Sequence, residues 1–123
     1  MNDAAALLVV VDAANVVGSV PDGWWRDRRG AAERLRDRLA TDGLPGYEGP
    51  VELVLVVEGA ARGVESVPEV RVEAAEGSGD DRMVELVAGA AGREVLVITA
   101  DRELRRRVTE LGADVAGPRT LRG

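Results

Sequence analysis

Mostly apolar runs recur along the chain at Leu7 to Val11, Val51 to Val57 and Glu94 to Thr99. They are short, rich in Val and lack polar alternation, the pattern of strands covered on both faces in a parallel sheet. Val70 to Val72 and Ala113 to Ala116 are shorter candidates, which makes five predicted strands. Between them the period changes. Ala31, Ala32, Leu35 and Leu39 recur at helical spacing, with Glu33, Arg34, Arg36, Asp37 and Arg38 filling the other face. Met83, Val84, Val87, Ala88 and Ala91 give a second helical face, opened by the Glu76 to Asp81 stretch. Leu104, Val108 and Leu111 predict a helix over 101–111 that ends at Gly112. Val16 to Gly30, with Pro21-Asp22-Gly23, and the loop containing Gly43, Pro45, Gly46, Gly49 and Pro50 are turn-rich. Gly59 to Val67 has room for one helical turn at most.

Strands alternating with helices predict an α/β fold, a three-layer Rossmann-like sandwich around a central parallel sheet. Right-handed crossovers leave few topologies, and order 3-2-1-4-5 is expected. No repeat or internal boundary is visible. A single domain is expected over 1–116, followed by a short mobile tail over 117–123.

In that order the first and fourth strands are neighbours at the switch point, where open sheets bind ligands beyond their carboxyl ends. Asp12 ends the first strand and Asn15 follows it; Asp101 follows the fourth. Asp80 and Asp81 open the helix after the third strand, and Glu58 ends the second. Each acid also has a structural reading. Asp12 can cap a turn, Asp101 is a preferred N-cap, and Ser78-Gly79-Asp80-Asp81 resembles a capping box. All are expected on one edge of the sheet, and clustered carboxylates repel unless a proton or cation sits among them. Asp12, Asp80 and Asp101 are therefore candidate ligands of a divalent metal, with Asp81 and Glu58 as auxiliaries.

Composition narrows the chemistry. The 123 residues include no Cys and no His, and all sixteen basic residues are Arg. Thiolate sites, cysteine nucleophiles, imidazole bases, Schiff bases and the P-loop lysine are excluded. Oxygen-only ligands favour Mg²⁺ or Mn²⁺. A net charge of −6 argues against a broad polyanion-binding surface. A small site whose positive charge comes from a metal remains open. Trp24 and Trp25 are two of three aromatics. Trp24 could stack on a base, although packing into the core is the commoner role beside a helix start. Arg26, Arg82 and Arg102 lie nearest the acids and are candidate phosphate contacts. Arg105-Arg106-Arg107 is expected to be a solvated surface. Ala4 to Val11 is too short to span a membrane and is no signal peptide, so a cytoplasmic protein is expected.

Four segments in order, VVDAANVVGS at 10–19, VVEGAARG at 56–63, GSGDDRMVELV at 77–87 and VLVITADRELRRRV at 95–108, resemble a bacterial NYN domain of the PIN-like ribonuclease superfamily. The resemblance covers nearly the whole chain. It implies a PIN-like fold and a metal-dependent nuclease, a hydrolase of RNA. The first-strand aspartate of that family falls on Asp12, its asparagine on Asn15, and its later acids on Asp80, with Asp81 beside it, and Asp101. Ala13 stands where the family often has Gly, and Glu58 where its second strand often ends in Asp.

The function expected is phosphodiester hydrolysis of RNA assisted by Mg²⁺ or Mn²⁺. Asp12, Asn15, Asp80 and Asp101 would form the catalytic group, and Asn15 would orient Asp12 or bond the scissile phosphate. The expected partner is single-stranded RNA; a homodimer is open. Two rivals are a non-catalytic RNA- or protein-binding module of the same fold and a Mg²⁺-dependent nucleotide pyrophosphohydrolase. A phosphoaspartyl phosphatase of the haloacid dehalogenase type would want an acid at position 14, which is Ala. A receiver domain would want a lysine.

Overall fold

A computed structural model of the chain describes residues 6–20 and 23–122. The first strand, β1 (Leu7–Asp12), is buried along its whole length. It pairs in parallel with β2 (Val51–Val57) on one side and with β4 (Val95–Ile98) on the other. The strands β3 (Val70–Ala74) and β5 (Asp114–Ala116) extend the sheet outward, and every pairing is parallel. The order is β3-β2-β1-β4-β5, as the crossover argument predicts.

Pleating explains why β1 has no polar position. Leu7, Val9 and Val11 enter one core with α1 (Ala13–Gly18) and α2 (Arg28–Asp42). Leu8 and Val10 enter a second core under α3 (Gly79–Ala88) and α4 (Arg102–Glu110). A strand buried on both sides needs apolar residues at every position. The result is the expected three-layer α/β sandwich. Burying a side chain such as Val9, which is fully enclosed, stabilises the fold by about 1.5–3 kcal/mol.

The elements differ from expectation where local signals are weakest. The predicted turn-rich segment begins instead with α1, only six residues long, too short for a period to register. Helix α2 starts before its apolar face because Asp27 caps it, Oδ1 accepting from Gly30 N at 2.9 Å. Ala90, not Ala91, is buried after α3, since the helix stops at Ala88. Gly112, in the left-handed region at φ 96°, follows α4. The expected tail forms a 3₁₀ turn over Pro118–Arg122, and Leu121 is buried in the first core. No described helix is long and apolar enough to cross a membrane.

Candidate active site

Alternation along the strands decides which side chains meet. On β1, β2 and β4 the residues facing α3 and α4 are Leu8 and Val10, Val54 and Val56, and Val95 and Val97. Two positions further, each series ends in a polar residue: Asp12, Glu58 and Thr99. These three strands are adjacent, with β1 between β2 and β4. The helices covering that face begin with Asp80 in the first turn of α3 and Asp101 as the N-cap of α4.

Asp12 and Thr99 are the buried polar residues of the described chain, at 6% and 0% exposure. Thr99 Oγ1 donates to Asp12 Oδ2 at 2.8 Å, and Asn15 N donates to Asp12 Oδ1 at 3.3 Å. Asp12 thereby caps α1, so its structural reading describes a real contact. The cap does not compensate its burial. Desolvation, opposed by those two hydrogen bonds and reinforced by the charges of Asp80 and Glu58, pushes its carboxyl up to about 6. Asp80 is also raised, first by burial and then by the charges of Asp101 and Glu58. Its carboxylate accepts no hydrogen bond among the described residues, while its backbone N donates to Ser78 Oγ at 3.1 Å.

The other acids are tied back to the backbone. Asp101 Oδ1 accepts from Leu104 N at 2.9 Å, the expected N-cap bond. Glu58 Oε1 accepts from Gly79 N at 2.7 Å, across the start of α3. A Cβ at position 79 would collide with that same Glu58 oxygen, so glycine permits the approach. Asn15 ties α1 to the loop before α4: besides its contact with Asp12, its Oδ1 accepts from Ala100 N at 2.8 Å. Asp81 turns outward to Arg107 at 3.1 Å and is mostly exposed.

The structure thus places Asp80 within electrostatic reach of Asp12, Glu58 and Asp101, and Glu58 within reach of Asp12. Among the described residues, no three acids are grouped closely enough to hold a metal ion as they stand. The donor set still suits a hard cation. Every donor is a carboxylate oxygen, and Asp12 and Asp80 carry mutual repulsion that a cation would relieve.

The predicted nucleic-acid contacts separate. Arg82 is engaged by Glu73, at 2.7 Å, and by Glu85, at 3.0 Å. Arg102 is exposed on the first turn of α4. Arg26 lies over Trp25, 5.8 Å from the ring centroid, and Trp25 is 53% exposed. Trp24 is half-buried and packs edge-on against Trp25. It lines an open cleft of about 750 Å³ with Asn15, Ala100, Pro118, Arg119 and Thr120.

Sequence reasoning passed over Thr99 and Arg105. Thr99 had a readable signal, a hydroxyl in phase with Asp12 at the end of an apolar strand. Arg105, expected on a solvated face, instead donates from Nε to the Thr99 carbonyl at 2.8 Å.

No protein-family model matches the chain, and no curated protein sequence matches it significantly. Among solved structures, a crystal structure of a mutant of Rae1 (YacP) from Bacillus subtilis superposes with a TM-score of 0.67. The two share 19% sequence identity over 93% of this chain and 70% of that one. At that identity the likeness is one of fold.

Proposed function

We propose that this chain is a divalent-metal-dependent ribonuclease whose reaction centre is the carboxyl edge of β2, β1 and β4. The observation that carries the reading is Asp12. A carboxylate buried to 6% exposure and pushed up to about 6, with Asp80 and Glu58 adding their charges, is costly to maintain in a structural cap. Its cost is intelligible where a cation is to be bound. The resemblance to NYN and PIN-like nucleases and the shared fold of Rae1 agree with this reading.

Asp12, Asp80 and Asp101 would hold the Mg²⁺ or Mn²⁺, with Glu58 as an auxiliary. When bound, the cation supplies charge neutralisation at the phosphate and an acidified water. The chain's own residues do the positioning. Thr99 and the Asn15 backbone fix both oxygens of Asp12. Asn15 keeps α1 and the loop before α4 in register, and its side-chain NH₂ remains to donate to a phosphate oxygen. Arg105 anchors the Thr99 carbonyl and so the end of β4. Asp81, held by Arg107, tunes Asp80 by charge more than by ligation.

A non-catalytic module is the second reading. It is favoured by the tying back of Asp101 and Glu58 to backbone amides and by the absence of a ready-made three-acid group among the described residues. Cleavage of single-stranded RNA separates the two. Wild type should cut in millimolar Mn²⁺ and stop in excess EDTA, and Asp12→Asn should lose roughly 10²–10³-fold or more in kcat. Cleavage persisting in EDTA or in Asp12→Asn would overturn the assignment.

A further inference from the structure

The cleft beside the acids is built from segments far apart in sequence. Asn15, Gly18 and Ser19 come from α1 and its end, and Ala100 from the loop before α4. Trp24 comes from a 3₁₀ turn, and Gly117 to Thr120 from the C-terminal turn. Its volume, about 750 Å³, falls within the range of roughly 300–1,000 Å³ usual for small-ligand sites.

Three observations define what would fit. First, the cleft adjoins the reaction centre through Asn15, whose backbone bonds Asp12 and whose side chain bonds Ala100 N. Second, Trp24 stands between this cleft and a smaller one of about 90 Å³. Arg28 belongs to the smaller side, its guanidinium 5.3 Å from the indole centroid, and backs the ring. Gly18 lies against the indole, where a Cβ would stand in ordinary contact at 3.6 Å from Trp24 Cζ2. Third, the wall formed by Gly117 to Thr120 carries Arg119, exposed and without an ion-pair partner among the described residues. Arg105 approaches the same wall, its Nη2 lying 3.5 Å from where a Cβ on Gly117 would be.

An aromatic ring and a cation lining one cleft are the combination that holds single-stranded nucleic acid: the ring takes a base and the cation takes the backbone. We propose that this cleft seats one unpaired nucleotide of the substrate strand, its base against Trp24 and its phosphate toward Arg119. The 3₁₀ turn at Pro118–Arg122 is then part of the binding surface, and buried Leu121 is what anchors it. The proposal rests on the ribonuclease reading only for what happens at the neighbouring acids.

The test uses the full chain with Trp25→Phe, which leaves Trp24 as the sole tryptophan. Adenosine 5′-monophosphate, up to roughly ten millimolar to reach weak complexes, should quench Trp24 fluorescence saturably. Ribose 5-phosphate, which has no base, should not. Arg119→Glu should weaken adenosine 5′-monophosphate binding by roughly tenfold, while Arg38→Glu, the same charge change on exposed α2 surface, stays within about twofold. Absence of the quench, an equal response to ribose 5-phosphate, or equal losses in Arg119→Glu and Arg38→Glu would overturn the proposal. A cleavage assay run in parallel separates the two readings. Metal-dependent cleavage without the quench removes the nucleotide seat and leaves the ribonuclease. The quench without cleavage leaves the seat and removes the ribonuclease.

Discussion

Helix α3 borders two acidic neighbourhoods that solve the same electrostatic problem in opposite ways. On its outer side Glu73 accepts from Arg82 at 2.7 Å and pairs with Arg71 at 2.6 Å, while Arg71 and Arg93 both approach Glu52. These guanidinium bonds hold the Glu73 carboxyl below its ordinary range. At the start of the same helix, the Asp80 carboxyl is raised, first by burial and then by the charges of Asp101 and Glu58. Paired acids on a half-exposed ladder need no further explanation. Unpaired acids at the carboxyl edge of a parallel sheet mark the place where stability is given up for something else. The contrast also explains why Arg82 and Arg107 are poor phosphate contacts: each already serves a carboxylate.

The largest test of that contrast is Asp12 without metal. Its carboxyl has an ordinary value of 3.8 and stands at about 6 in the fold, so between those values the folded state holds more protons than the unfolded one. Stability from this group is therefore fully present below pH 3.8 and is lost as pH rises through about 6. The loss at neutral pH is on the order of 3 kcal/mol for a shift of this size. Asp12→Asn should recover most of it at pH 7 and almost none near pH 4, read from urea unfolding in EDTA. Thr99 and the Asn15 amide can both bond an asparagine in that place, so the packing survives. If Asp12→Asn destabilises at pH 7, its carboxylate is a satisfied cap and the contrast with Glu73 collapses.

Metal should reverse the sign at the same edge. A cation at a hundredfold excess over its dissociation constant stabilises by about 2.7 kcal/mol. Thermal melts of wild type with millimolar Mn²⁺ should rise accordingly. Asp101→Asn separates its two roles, because Asn caps a helix about as well as Asp. Its melt in EDTA should stay close to wild type, the bond to Leu104 N being retained, while most of the Mn²⁺ response disappears. An Asp101→Asn protein that keeps the full response would return Asp101 to capping alone.

The layout of this edge was largely legible before any coordinates. β1 carries an unbroken apolar run because both its faces are covered, and that alone makes it central. A central first strand and right-handed crossovers then bring Asp12 and Asp101 to neighbouring strand ends. What was illegible depends on long-range contact. Six residues of α1 are too few to show a period. The 117–123 segment reads as a tail because its only large apolar residue is Leu121, and one residue has no pattern; its burial comes from the core it reaches. The pairing of Arg82 with Glu73 had no signature either, since Glu73 lies on a different element, nine positions away. Charges at a helix start look alike in sequence whether they face a partner or one another.

The smallest effect should come from the paired side, and it has the opposite sign. Glu73 receives Arg82 on Oε1, from Nε at 3.2 Å and Nη2 at 2.7 Å, and Arg71 Nε on Oε2 at 2.7 Å. Glu73→Gln removes the charge and turns an NH₂ toward one guanidinium. The Glu73 side chain is 21% exposed, Arg82 34% and Arg71 48%, so water and salt screen much of the attraction. The loss at pH 7 should be about 0.5–1 kcal/mol, shrinking in molar salt. Because the folded carboxyl is depressed below 4.5, its contribution is present above that pH and is lost as pH falls through the folded value. Between pH 7 and 4.5 the Glu73→Gln cost should therefore stay level while the Asp12→Asn gain fades. The Mn²⁺ response should be unchanged, since Glu73 is not among the charges acting on Asp12 or Asp80. Urea unfolding of the two variants across that pH range checks the pair. A Glu73→Gln cost that grows on acidification, or a Glu73→Gln protein that loses the metal shift, would show that the two sides of α3 form one network.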